Sequence, residues 1–153
     1  MSLESVRAFF AAKAPEITVL ESPKSSATVT LAADAYGVEP SRIAKTLSLR
    51  VGEQVILIVA SGTSRMDNKK VKARFGGKPK MLGLDEVADI TGHEVGGVCP
   101  FGLKTPLPIY CDISLKQFDE VVPAAGSIHS AVRISPSRMA ELTAAEWVDV
   151  CEG

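Results

Sequence analysis

Two strand-like segments set two residues apart constrain this chain more than any other feature. Residues 43–51 and 54–60 are runs of aliphatic and β-branched side chains, and Gly52-Glu53 between them is a turn-length gap. They read as a β-hairpin. In the first run Ile43, Leu47, Leu49 and Val51 hold the odd positions, and Ala44, Thr46, Ser48 and Arg50 the even ones. Side chains alternate faces along a strand, so Lys45 shares the apolar face. An ammonium withdrawn from water needs an anion or dipoles to receive it. Two readings follow. Lys45 points into a pocket that awaits an anionic ligand group, or its stem packs near the strand end while its head reaches water.

The remaining sequence alternates short helical and short strand-like segments. Leu3, Val6, Phe9 and Phe10 form one stripe of a helix over 3–13, with Ser2 as a cap. Ile17 to Leu20 is a short β-like run. Helices are predicted over 30–36, closed by Gly37, over 68–75, between Asp67 and Gly76-Gly77, and over 85–91, stopped by Gly92. Residues 95–108 read as loop plus edge strand. Strands are predicted over 108–112, 119–124, 130–135 and 146–150. Ser135-Pro136 opens a last helix to about Leu142. Roughly seven strands and five helices that do not strictly alternate indicate an α+β fold rather than a doubly wound sheet.

With 153 residues, a single domain over 1–153 is expected. Hydrophobic content of 46% excludes a disordered chain. No apolar run approaches the ~18 residues of a membrane helix. Aromatic residues make up 5%, so the core is aliphatic and few rings are free to stack on bases. A net charge of −1 argues against wholesale coating of phosphate. The charge is uneven, however. Arg65, Lys69, Lys70, Lys72, Arg74, Lys78 and Lys80 fall in one stretch opposed by Asp67 alone. This is a local nucleic-acid patch or a solvated helix face. The three cysteines, Cys99, Cys111 and Cys151, show no close spacing, and the N-terminus has no signal-peptide pattern. They are expected to be reduced thiols in a cytoplasmic protein.

The segment Val95-Gly96-Gly97-Val98-Cys99-Pro100-Phe101-Gly102-Leu103-Lys104-Thr105-Pro106 carries three glycines and two prolines. Such a backbone can approach a ligand closely and offer N–H groups to an oxyanion. It can equally be a plain turn.

Three ordered segments together resemble the superfamily of YbaK and the prolyl-tRNA-synthetase editing domain, a group of aminoacyl-tRNA deacylases. They are Lys45-Thr46-Leu47, the loop Gly96 to Gly102 with its Gly-Gly-x-x-Pro-x-Gly pattern, and Ala124-Ala125-Gly126 followed by a strand and Ser135-Pro136. The likeness runs over roughly residues 3 to 150. It implies a mixed, mostly antiparallel, β-barrel-like sheet ringed by short helices. It also implies hydrolysis of the ester between a wrong amino acid and the tRNA 3′-terminal adenosine, without cofactor, metal or covalent intermediate. Lys45 is then expected to meet the terminal phosphate or position the ester. Gly96, Gly97, Val98, Cys99 and Pro100 form the loop whose N–H groups meet the carbonyl oxygen. Thr46, Gly102, Ala125, Gly126 and His129 are candidates for substrate binding. Lys69, Lys70, Lys72 and Arg74 are candidates for tRNA binding. Cys99 stands where several relatives have serine or threonine, and His129 is spaced differently from the histidine of some relatives.

The resulting expectation is a free-standing, monomeric trans-editing enzyme. Its substrate would be aminoacyl-tRNA, specifically tRNA for proline carrying a small non-cognate amino acid, with prolyl-tRNA synthetase as a further partner. A non-catalytic module that binds a nucleotide or aminoacyl-adenosine is the alternative. A cysteine hydrolase pairing Cys99 with His93 or His129 is a weaker one, since cysteine is commonly a small buried hydrophobe.

Overall fold

A computed structural model describes residues 2–152. In chain order the elements are α1 (Ser2–Lys13), β1 (Leu20–Glu21), α2 (Val29–Tyr36), β2 (Ile43–Val51), β3 (Gln54–Ser61), α3 (Asn68–Phe75), β4 (Pro79–Met81), α4 (Leu84–Thr91), β5 (Ile109–Asp112), β6 (Val122–Pro123), β7 (Ser130–Ala131), α5 (Pro136–Thr143) and β8 (Glu146–Val148). Short 3-10 turns precede β2 and follow β5. The fold is α+β, with an open six-stranded sheet in the order β4-β2-β3-β5-β8, β6 also pairing with β2, and a separate β1-β7 pair.

β3 is the centre. It runs antiparallel to β2 and parallel to β5. Ile56 through Ala60 are fully buried, because the sheet is covered on both faces, and this is why the segment reads as a continuous apolar run. One face holds Leu49, Val51, Ile56 and Ile58 against Val71 of α3 and Val148 and Val150. The other holds Ala44 and Val59 in the main core with Val6 and Phe10 of α1, Phe101, Leu115 and Met139 of α5. Each such Leu, Ile or Phe contributes ~1.5–3 kcal/mol by leaving water.

The helix ends follow local chemistry. Thr28 Oγ1 accepts from Leu31 N at the start of α2, Asp67 from Lys69 N and Lys70 N at α3, and Ser135 from Arg138 N at α5. The predicted strands 119–124 and 130–135 shorten to two residues each. Pro123 brings no N–H to a ladder, and isolated bridges Val121↔Ile134 and Ala124↔Ala131 tie the same segments instead. The run at 17–20 pairs only from Leu20, while Ile17 and Val19 pack on the core. No strand forms within 95–108. No helix among the described residues is long and apolar enough to cross a membrane.

Candidate active site

The pocket opens along β2. β4 covers the outer edge of β2 at Leu49 to Val51, and β6 covers it at Ile43 and Ala44. Between them lies a cavity of about 270 Å³. Its wall includes Ala44, Lys45, Thr46 and Ser48 of β2, Thr28, Val29 and Ala32 of α2, Leu82 and Val87 around α4, Gly96 and Val98 of the loop, and Ala124, Ser130 and Ala131. Among the described residues, Lys45 is the one titratable side chain on that wall. The rest is aliphatic with a few hydroxyls.

Lys45 is half-buried, and its Nζ donates to the carbonyls of Gly62, at 3.3 Å, and Ser64. No carboxylate lies within 4.0 Å of it among the described residues. Burial pushes its pKa below the ordinary lysine value. Of the two readings from strand phase, neither holds alone. The ammonium is partly withdrawn from water, and carbonyl dipoles receive it. The first turn of α2 also faces the cavity and adds the partial positive charge of a helix N-terminus.

The loop is anchored from behind. Cys99 and Phe101 are fully buried in the main core, with the Phe101 ring 4.7 Å from that of Phe10, which leaves Val98 on the pocket side. Gly96 takes φ +90°, a region that suits glycine. Gly97 packs main chain on main chain. Its carbonyl accepts from Gly126 N at 3.0 Å, and a Cβ there would lie 2.7 Å from Ser127 N. Its own N–H is used by Glu94 O.

The sequence candidates therefore divide. Lys45, Thr46, Gly96 and Val98 meet on one cavity wall. Gly97, Cys99 and Pro100 belong to the same loop but do not line the cavity. Ala125 is in the main core, Gly126 lies against the backbone of Ser2 and Leu3, and Gly102 against Ser5. His129 is exposed, with Nδ1 near the carbonyls of Ser22 and Lys24 at 3.2 and 3.1 Å. None of these four lines the cavity. The basic candidates lie on α3, also away from the cavity. Lys70 is paired with Asp149 and Arg74 with Glu146, while Lys69 and Lys72 are exposed with no ion pair among the described residues. The wall residues Ser26, Thr28, Ser48, Leu82, Val87 and Ser130 were not singled out by sequence, since hydroxyl side chains near helix caps and strand ends carry no distinguishing spacing.

Cys99 Sγ is 3.6 Å from His93 Nε2, and both reach the carbonyl of Phe101. Burial pushes the thiol up to about 12 and holds the imidazole pKa down. No group of three or more His, Cys, Asp or Glu among the described residues is placed to hold a metal ion.

The model of the aminoacyl-tRNA editing domain matches residues 23–142. The chain belongs to that family. It is 51% identical to YwhH of Bacillus subtilis over 99% of this chain and 98% of that protein. It is 30% identical, over 77% of this chain and 73% of its relative, to EbsC of Enterococcus faecalis, provisionally named a Cys-tRNA(Pro)/Cys-tRNA(Cys) deacylase. A proline–tRNA ligase of Bacillus pumilus matches at 27% over 74% of this chain, which corresponds to 20% of the ligase. Among solved structures, one described provisionally as a trans-editing enzyme for prolyl-tRNA synthetase superposes with TM-score 0.91 at 33% identity, over 99% of this chain and 98% of that one. The family frame agrees with the expected α+β fold, and aminoacyl-tRNA editing is the activity its name describes.

Proposed function

We propose that this chain is a deacylase domain that clears tRNA for proline carrying a small non-cognate amino acid. The observation that carries the reading is the meeting of Lys45 and Thr46 with Gly96 and Val98 around one cavity of about 270 Å³, in a chain of the editing family. That volume lies just under the usual range for small-molecule pockets, ~300–1,000 Å³. It suits an aminoacyl group and the adjoining ribose better than a whole nucleotide.

The chemistry follows from what the wall offers. It carries no carboxylate, imidazole or thiol among the described residues to act as general base or to activate one of its hydroxyls as a nucleophile, and Lys45 serves as a phosphate contact. The protein's part is positioning and electrostatics. Lys45 holds the phosphate of the terminal nucleotide, exchanging the carbonyls of Gly62 and Ser64 for an anion. Pro100 has no N–H, that of Gly97 is taken and Cys99 does not line the cavity, which leaves the Gly96 and Val98 amides; neither makes a hydrogen bond among the described residues, and one of them donates to the ester carbonyl oxygen. Water attacks the carbonyl carbon, the vicinal ribose hydroxyl of the substrate relays the proton, and the acyl–oxygen bond breaks to give free amino acid and tRNA. The reading is metal-independent, so activity should survive dialysis against EDTA.

Support for tRNA for proline comes from the provisional names of EbsC and of the structural relative, and from the ligase match. A panel of tRNAs for proline charged with alanine, cysteine, serine, threonine or proline, assayed for amino-acid release, tests it. Release of a small non-cognate amino acid with proline spared supports the reading. Binding without turnover in every case identifies a binding module instead.

A further inference from the structure

The outer edge of β2 has a gap one residue wide. The carbonyl of Ser48 accepts from Leu82 N at 3.0 Å, outside the β2-β3 hairpin, and the N–H of Leu57, the residue opposite Ser48, goes to Pro108 O at 3.0 Å on the far side of β3. Ser48 and Leu57 are therefore a non-hydrogen-bonded pair. By the period of two, Thr46 and Val59 are the same. The N–H and C=O of Thr46 thus point to the outer edge, as do those of Ala44 and Ser48. β6 covers Ala44, the β4 end covers Ser48, and neither strand reaches Thr46. Independently, the Thr46 hydroxyl is buried with no hydrogen-bond partner. Three polar groups of one residue on the cavity wall are without partners among the described residues.

We propose that Thr46 pairs through its main chain with the aminoacyl group of the substrate, as one residue of an antiparallel strand would. The inference rests on the deacylase reading above and names the part of the substrate that this edge takes. Ala44 and Ser48 are about 13 Å apart along the strand. A peptide laid along the edge would collide with Pro123 on one side and Leu82 on the other. An aminoacyl group has the length of a single residue and the same N–Cα–C=O unit. Its α-ammonium donates to Thr46 O, and its carbonyl oxygen, which has two lone pairs, accepts from Thr46 N and from a loop amide. The protein then recognises that the acyl group is an amino acid from atoms every L-amino acid shares, which leaves the aliphatic wall to sort side chains by size.

The test uses the full chain labelled with ¹⁵N and two stable probes. These are 3′-(L-alanylamino)-3′-deoxyadenosine and the 3′-propionylamino compound, which lacks only the amine. With the alanyl probe, the Thr46 amide proton is expected to move downfield and exchange more slowly. The alanyl probe is expected to bind about 10-fold or more tightly than the propionyl probe, the scale of a charge-assisted hydrogen bond. Thr46→Val keeps the main chain and should keep that preference. If the alanyl probe binds with the Thr46 amide unmoved, if the two probes bind equally, or if Thr46→Val abolishes the preference, the main-chain pairing is wrong while the deacylase reading stands. If neither probe perturbs any resonance of the cavity wall, both fall together.

Discussion

Cys99 Sγ and His93 Nε2 lie 3.6 Å apart, and the pair is sealed inside the core with the carbonyl of Phe101. The distance alone would suit a thiol nucleophile and its base. The surroundings do not, because both residues are fully buried, neither lines the cavity, and burial pushes the thiol up to about 12. The nucleophile of a thiol enzyme is the thiolate, and this site suppresses it.

Cys99→Ala is therefore expected to keep deacylation within about tenfold of wild type, with some loss of stability from the small void. A fall of ~10³-fold or more with the fold intact, the scale of losing a nucleophile, would restore the thiol mechanism.

His93 should leave a signature in stability against pH. Its imidazole has a pKa near 6.5 in an unfolded chain, and desolvation lowers it in the fold. Below that unfolded value the unfolded chain binds the extra proton first, so stability falls as pH drops through the window and levels off below the folded pKa. The urea midpoint should fall between about pH 7.5 and 5.5, and fall less in His93→Gln. An equal fall in both proteins would assign the effect to other groups.

Gly97→Ala is expected to destabilise by ~1–3 kcal/mol, the usual cost of overpacking, because the new Cβ would lie 2.7 Å from Ser127 N and 2.9 Å from Gly126 C. The glycine thus serves the packing of the loop on its neighbour as well as the site. Thermal melting decides the point, and an unchanged Tm would mean that the two loops do not touch as described.

On the basic face, Lys69, Lys72, Lys78 and Lys80 are exposed and make no ion pair among the described residues, while Lys70 and Arg74 are already paired. Changing these four to Gln should weaken tRNA binding and flatten its salt dependence, by a log–log slope of ~0.7–0.9 for each phosphate no longer neutralised. Relative rates across aminoacyl groups should not change. An unaltered salt slope marks the stretch as a solvated surface.

Much of this was legible in the sequence, for identifiable reasons. The hairpin and five of the helix ends, at Gly37, Asp67, Gly76, Gly92 and Ser135, follow from local rules: strand patterning, capping and glycine punctuation. The gap in the β2 edge was not legible, because it depends on where β4 and β6 stop, which is set by packing between segments distant in sequence. The same holds for the carbonyls of Gly62 and Ser64 that receive Lys45. Strand phase placed that lysine on an apolar face but could not say what would meet its head. Gly126 and Gly102 carried the motif pattern, yet they serve close backbone packing against α1.

The central claim is that the cavity beside Lys45 hydrolyses an aminoacyl ester. Single-turnover release of alanine from alanyl-tRNA for proline, with wild type and Lys45→Met run beside a protein-free control, tests it most directly. Met keeps the stem and removes a charge whose burial is unfavourable, so the variant should fold with an undiminished Tm. Wild type is expected to release alanine well above the control, and Lys45→Met to be slower by ~10²-fold or more, the scale of a misplaced reacting group. Wild-type release no faster than the control, or a Lys45→Met variant as fast as wild type, would contradict the account.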